Sequence, residues 1–173
     1  MKKRIDTIGA VDLIDLPELG WNQVPVRVDT GAATSAIHCA SVRIHKEGND
    51  TYLQFQLDSK RGAPKRSFIS RDFKETWVRN TSGITEKRFV IKTQVVVFGR
   101  KIRTEFTLAN RKKMNYPILL GRKLLKDRFI VDVSRKDLSF QYQQDKKNKA
   151  HTSNQNTFAH QCEVPLPSPN TSS

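Results

Sequence analysis

The segment RVDTGAATSAIH, which begins at Arg27, carries one carboxylate, Asp29, on a tight glycine turn between two apolar, β-prone runs. Two carboxylates about 3 Å apart share one proton, because both cannot ionise there. Such a pair can supply a base and an acid to the same reaction. Two alternatives follow: Asp29 is an ordinary turn residue, or it is one half of a catalytic pair.

The elements around this turn favour the second alternative. The apolar run VPVRV leads into Asp29, and about ninety residues later YPILLGRKLL joins an apolar strand through Gly121 and Arg122 to a short helix. Between them, TWVRNTSGITEKRFVIKT has the pattern of a hairpin with a tip of small residues, and QVVVFGRKIRTEFTLAN that of a strand, a turn and a strand. This order makes a plain turn the weaker interpretation of Asp29.

A hydrophobic period of two dominates the chain and predicts an all-β fold. GRKLLKDR is the one segment with the pattern of a short helix, and SKRGAPKRS reads as a polar loop. We predict one domain over residues 1–143 and a disordered polar tail over residues 144–173, because that last segment lacks periodicity. The predicted strands are TIGAVDLIDL, VPVRV, SAIHCASVRIHK, TYLQFQLD, TWVRN, KRFVIKTQVVVFG, KIRTEFTLA, PILLG and FIVDVS.

The net charge of +14 is large for 173 residues. Between Lys60 and Lys113 there are 16 basic and 4 acidic residues, so the excess belongs to one half of the folded domain. Such a field attracts polyanions and speeds their encounter. Nucleic acid, an anionic membrane surface and an acidic polypeptide are all candidate partners. The aromatic residues do not form an obvious stacking platform, which disfavours RNA.

Two cysteines and no membrane-length apolar run fit a cytoplasmic protein. A bilayer span needs roughly 20 apolar residues, and Asp6, Asp12 and Asp15 interrupt any signal-peptide core near the start. A structural disulfide between Cys39 and Cys162 is not expected, because one cysteine lies in a predicted strand and the other in the polar tail. Neither cysteine has a partner at metal-ligand spacing.

The order of Asp-Thr-Gly-Ala, a glycine-tipped hairpin and an apolar Gly-Arg segment before a helix resembles the retropepsins, the single-domain aspartic peptidases. The resemblance covers Val24 to Ser134. It implies a closed β-barrel with one short helix after the Gly-Arg segment, and catalytic roles for Asp29, Thr30 and Gly31. Asp132 lacks a following glycine and is expected to be structural. The second carboxylate must therefore come from a second copy of the chain, in a homodimer with twofold symmetry.

The segments LPELG, VDTGAATSAIHC, TLANRKKM and YPILLGR, followed by RFIVDVS, are similar to a bacterial family labelled ATP-dependent zinc proteases. This resemblance covers about Ile8 to Tyr142. Members often occur with an ATP-grasp ligase that adds glutamates to a ribosomal protein. The resemblance implies an aspartic endopeptidase that trims glutamate-rich tails, with a ribosomal protein tail as an expected substrate.

Arg122 is the position at which this chain departs from the retropepsin pattern. Retropepsins commonly carry an acidic residue two positions after the motif glycine, where this chain has Ala33, and that acid pairs with the arginine. A buried guanidinium needs a partner, so we expect Arg122 to pair with another acid, such as Asp127, or with a substrate carboxylate. The residues expected to bind substrate are Arg27, Ala32, Arg79, Arg88, Arg111 and Arg122.

Two alternatives to the aspartic endopeptidase stay open. A retropepsin-shaped domain could bind acidic tails or RNA without cutting them, and Asp29 would then be dispensable. The family label suggests a zinc peptidase, but no HExxH motif and no glycine-rich phosphate loop occur in the chain. We predict neither a metal nor another cofactor. His38 is expected to be a core or edge residue rather than a catalytic one.

Overall fold

The computed structural model describes residues 4–58, 64–79, 83–111 and 114–159. Within these ranges the chain folds mainly as β-strands, joined by one 3-10 turn at Pro17–Leu19 and two helices. The elements in chain order are β1 (Asp6–Leu16), β2 (Trp21–Val28), β3 (Ser35–Glu47), β4 (Asp50–Leu57), β5 (Arg66–Ser70), β6 (Phe73–Arg79), β7 (Thr85–Val97), β8 (Arg100–Ala109), β9 (Ile118–Leu120), α1 (Arg122–Leu125), β10 (Phe129–Lys136) and α2 (Leu138–Ala159).

The strands pair in the order β10-β1-β2-β9-β3-β8-β7-β6. An additional pairing of β1 with β7 closes a ring of six strands, and it consists of the single pair Asp15 and Val96. The side chain of Glu18 lies at this seam: it accepts hydrogen bonds from Thr93 Oγ1 at 3.1 Å and from the main-chain nitrogen of Gln94 at 3.2 Å. The far half of β3 leaves the ring and pairs with β4, which pairs with β5.

Alternation along the strands builds the core. In β7, Ile91, Thr93, Val95 and Val97 are buried while the residues between them are more exposed, as expected for a strand with one face packed. The centre of the ring is filled by side chains without solvent exposure, which come from several strands. These include Ile14, Val26, Ile37, Val95, Phe106, Ile118 and Leu120.

The all-β prediction is confirmed, and the nine predicted strands correspond to β1–β4 and β6–β10. The short helix predicted in GRKLLKDR is α1. The polar-loop prediction missed β5, which pairs with β4 and places Phe68 on Phe55 with ring centroids 5.6 Å apart. Part of that predicted loop, residues 59–63, lies outside the described residues.

Helix α2 continues across the predicted domain boundary at residue 143 and ends at Ala159, whereas the sequence predicts a disordered tail from residue 144. The start of α2 is held by Asp12, whose carboxylate accepts hydrogen bonds from the main-chain nitrogens of Ser139 at 2.9 Å and Phe140 at 3.2 Å. Tyr142 also packs edge-on against Phe98. Farther along the helix, residues 145–149 are exposed. Residues 160–173 lie outside the described part of the chain.

Candidate active site

Asp29 follows β2 immediately and is oriented by its own turn. The parallel pairing of β2 with β9 brings its main-chain nitrogen to the carbonyl oxygen of Leu120, at 3.0 Å. Its Oδ1 accepts hydrogen bonds from the main-chain nitrogens of Gly31 at 2.9 Å and Ala32 at 3.1 Å. The half-buried carboxylate is therefore fixed in direction before any partner or substrate approaches.

Gly121 brings the Gly-Arg segment into contact with this turn. A Cβ atom at Gly121 would lie 2.6 Å from the carbonyl carbon of Thr34, closer than real Cβ contacts. The main-chain nitrogen of Gly121 donates to Ser35 Oγ at 3.0 Å, and both groups are buried. The absence of a side chain thus lets the two segments that flank the Asp29 turn pack main chain against main chain.

Arg122 holds the turn through main-chain oxygens. Its Nη1 donates to the carbonyl oxygens of Thr30 at 3.0 Å and Gly31 at 2.6 Å, and its main-chain nitrogen donates to Ala32 O at 2.9 Å. The expectation that the Arg122 guanidinium is buried is wrong, because its side chain is exposed. Among the described residues, neither Asp127 nor another carboxylate forms an ion pair with Arg122.

A cleft of about 1000 Å³ lies over the turn. Its lining contains Asp29 and nearly all of the residues that the sequence predicts for the site, although they are up to 95 positions apart in the chain. Thr30 is exposed on the neighbouring side of the turn, where it lines a smaller apolar depression with Ala33. The predicted site residues that line the cleft are Arg27, Asp29, Gly31, Ala32, Arg79, Arg88, Arg111 and Arg122.

The β6–β7 hairpin contributes one wall of the cleft. Trp77 of β6 lines the cleft and is 70% exposed, and Met114 lines it as well with 56% exposure. The sequence analysis assigned neither residue to the site. The available signal was the position of the tryptophan two residues before Arg79, which puts both side chains on the same face of a strand.

Glu105 is a further cleft residue that the sequence analysis missed. Its carboxylate pairs with Lys74 of β6 and with Lys123 of α1, the latter at 3.4 Å. The hydrogen bond from Lys74 is the main cause that lowers the pKa of Glu105. As one of four acidic residues among sixteen basic ones between Lys60 and Lys113, it could have been noticed from sequence.

Arg111 is a half-buried cation of the cleft, as Arg88 is. Burial lowers the pKa of its guanidinium, repulsion from Arg88 lowers it further, and attraction to Asp29 acts in the opposite direction. Its Nε donates to the carbonyl oxygen of Tyr116 at 3.3 Å. A cation that has already lost part of its hydration has more to gain from a carboxylate in the cleft than an exposed one has.

His38 and Asp132 have the structural environments expected of them. His38 is 8% exposed and does not line the cleft. Asp132 makes a local contact within β10, in which its Oδ1 accepts hydrogen bonds from the main-chain nitrogen and the hydroxyl of Ser134 at 3.0 and 2.6 Å.

Among the described residues, no group of three or more His, Cys, Asp or Glu side chains could hold a metal ion. Of the helices described, none is long and apolar enough to cross a membrane.

A closed ring of strands with an Asp-Thr-Gly turn beneath a hairpin-covered cleft defines a retropepsin-like domain. Residues 7–142 match the family described as RimB-like, the retropepsin-like aspartic endopeptidase RimB. The chain belongs to this family.

The curated relatives are longer proteins. A probable alpha-L-glutamate ligase of Parasynechococcus marenigrum is 36% identical over 129 residues, which are 72% of this chain and 27% of the relative. Another of the same name from Desulfotalea psychrophila is 30% identical over 148 residues, 84% of this chain and 32% of the relative. The chain thus spans about a third or less of the length of these relatives.

A solved structure supports the fold. The crystal structure of a protein of unknown function from Legionella pneumophila matches with a TM-score of 0.59 and 22% identity, covering 79% of this chain and 98% of that one.

Proposed function

We propose that this protein is a homodimeric aspartic endopeptidase that hydrolyses peptide bonds in acidic, glutamate-rich polypeptide tails. The observation that carries the proposal is the cleft, which combines the fixed Asp29 carboxylate with five arginines from distant parts of the chain. A tail of a ribosomal protein is the substrate that the family resemblance implies. The chemistry is attack on the peptide carbonyl by a water molecule between two carboxylates, with no metal or other cofactor.

The need for a second chain comes from the carboxylates of the cleft. The sequence has one Asp-Thr-Gly, and the other acidic residues lining the cleft, Glu75 and Glu105, are paired with lysines. Twofold symmetry would place Asp29 opposite its copy on the axis, because equivalent residues meet there. The exposed Thr30 beside it is available to hydrogen-bond across the axis and hold the two turns together.

The acidic substrate is supported by the charge of the cleft and by the relatives. Guanidinium groups bind carboxylates through paired, charge-assisted hydrogen bonds, and a glutamate tail is a row of carboxylates. The curated relatives, named for glutamate ligation, contain a region similar to this chain. A domain that acts on glutamate-containing chains fits both observations.

Asp29→Asn tests the proposal. Asparagine has nearly the same shape but can neither share the proton nor act as a base, so we expect cleavage of a polyglutamate peptide to fall by at least about 1000-fold. Product mass spectrometry measures the cleavage, and circular dichroism and gel filtration check that the variant folds and associates as the wild type does.

The same assay separates the alternatives. A purified wild type that binds polyglutamate but never cuts it would be a binding module. Cleavage that survives Asp29→Asn, stops with a chelator and returns with zinc would assign a metallopeptidase. Cleavage that disappears with Asp29→Asn and is unchanged by chelator or ATP supports the aspartic mechanism.

A further inference from the structure

A buried histidine and carboxylate lie behind the cleft wall. His38 in β3 and Asp58, directly after β4, are 8% and 9% exposed, and neither lines the cleft. His38 Nε2 lies 3.5 Å from Asp58 Oδ1, and that oxygen has no hydrogen-bond partner among the described residues. Burying such a pair is costly.

The same histidine holds the segment that carries Arg111. The main-chain nitrogen of Arg111 donates to His38 Nδ1 at 2.8 Å. The main-chain nitrogen of His38 donates in turn to Pro117 O at 2.7 Å. One residue of β3 therefore fixes both ends of the connection from β8 to β9, and Arg111 extends from this connection into the cleft.

The main-chain N–H of Arg111 and the Asp58 carboxylate favour the same tautomer of His38. A main-chain N–H can only donate, so Nδ1 must offer a lone pair to Arg111 and the proton of the neutral ring must lie on Nε2. Nε2 is the nitrogen that faces the Asp58 carboxylate. The carboxylate thus favours the one tautomer that can accept the hydrogen bond from Arg111.

We propose that His38 and Asp58 are positioning residues that set the Arg111 guanidinium near Asp29 and thereby determine the preference of the cleft for a carboxylate close to the bond that is cut. This inference rests on the proposed function. Arg111 is suited to the task because it is half-buried and lies within the electrostatic influence of Asp29. The exposed arginines of the cleft, Arg27, Arg79 and Arg122, attract acidic peptides from a distance. Arg88 is also half-buried but is paired with Glu86, whereas Arg111 recognises one carboxylate at a fixed place.

The test compares polyglutamate with polyglutamine peptides of the same length. We expect His38→Leu, which removes the acceptor, to raise KM for polyglutamate roughly 10-fold, the value of one charge-assisted hydrogen bond, and to leave kcat and the polyglutamine kinetics nearly unchanged. His38→Asn should recover most of the loss, because its side-chain oxygen can take the place of Nδ1. In an Arg111→Gln background, His38→Leu should add nothing further.

Asp58→Asn provides a second variant in case His38→Leu fails to fold. Its amide can donate to Nε2 and so favours the wrong tautomer. Nitrogen-15 NMR of labelled histidine should show Nε2 protonated in the wild type and a mixed tautomer in Asp58→Asn, with a partial loss of polyglutamate preference. Equal losses for both peptides, or an effect of His38→Leu that adds to Arg111→Gln, would overturn the inference.

Binding measurements separate this inference from the proposed function. Fluorescence anisotropy of labelled peptides on Asp29→Asn chains needs no turnover. A preference for polyglutamate that depends on His38, in a wild type that cleaves nothing, would overturn the endopeptidase and retain the positioning role. Equal affinity for the two peptides would overturn the positioning role, whatever the wild type cleaves.

Discussion

The α-carbon of Gly121 is the point at which the site tolerates the least change. A methyl group there would meet the main chain of Thr34 at 2.6 Å, and neither segment can move without moving the Asp29 turn. Arg122, the next residue, holds that turn through two carbonyl oxygens. Two adjacent residues thus fix the turn. Gly121 does so because it lacks a side chain, and Arg122 does so through its guanidinium.

Gly121→Ala should therefore remove activity as well as stability. We expect a decrease in the free energy of unfolding of about 3 kcal/mol or more, since a main-chain contact must be relieved, and loss of peptide cleavage in whatever fraction stays folded. Urea denaturation and the polyglutamate assay measure the two effects.

Gly48→Ala is the matched control. Gly48 has φ of +59°, and nothing lies within 4 Å of an added Cβ. The substitution should therefore lower the free energy of unfolding by about 1–2 kcal/mol through backbone conformation alone. Peptide cleavage should continue. A Gly121→Ala protein as stable and active as the wild type would show that the two segments do not pack as described.

At the scale of elements, Glu105 connects the hairpin to the helix beside the turn. Its pairs with Lys74 of β6 and Lys123 of α1 join two elements that have no strand pairing with each other. We expect Glu105→Gln to speed amide hydrogen exchange in β6 roughly 2- to 5-fold, the range for an ion pair near the surface. Glu75→Gln is the control, because Glu75 pairs with Lys87 inside the hairpin.

The contribution of Glu105 should depend on pH in a defined direction. Its pKa in the folded protein is lower than its ordinary value of 4.5, so the stabilisation is complete above 4.5 and is lost as the pH falls through the lowered value. The stability difference between wild type and Glu105→Gln should accordingly shrink in acid. A difference that grows as the pH falls would contradict the ion-pair assignment.

Helix α2 depends on a carboxylate from another element. Asp12 in β1 is 1% exposed and accepts hydrogen bonds from two main-chain nitrogens at the start of the helix. Asp12→Ala leaves these donors without their acceptor and should cost about 1–3 kcal/mol, with loss of far-UV helical signal. Asp132→Ala, which removes a local contact with Ser134 within β10, should keep that signal. Full helicity in Asp12→Ala would mean that α2 forms without this cap.

These elements also show how far sequence reasoning reaches. The period-two alternation of strands such as β7 reflects burial on one face, so these strands could be predicted directly from the sequence. Helix α2 could not be predicted, because its anchor, Asp12, lies 126 positions before its first residue. The partners of Arg122 could not be predicted from the sequence either. They are main-chain oxygens, and because every residue has one, no residue type identifies them.

At the scale of the whole molecule, the proposed site is divided between two chains. Activity per chain should fall on dilution below the dimer dissociation constant, because a separated chain keeps one Asp29. Adding a threefold excess of Asp29→Asn chains should lower activity per wild-type chain to about a quarter, if the chains exchange and pair at random. Analytical ultracentrifugation gives the association state in the same samples, and full activity in a monomeric sample would refute the shared site.

The single pair that closes the ring has a consequence for how the chain folds. Asp15 and Val96 are 81 positions apart, and Glu18 is the side chain that reinforces their seam. Joining such distant segments through so few bonds gains little until the rest of the ring exists, so we expect the seam to close last during folding. The amides of this seam should be the first to exchange in the native state. The ring of strands would then open between β1 and β7 while its other strand pairings stay intact.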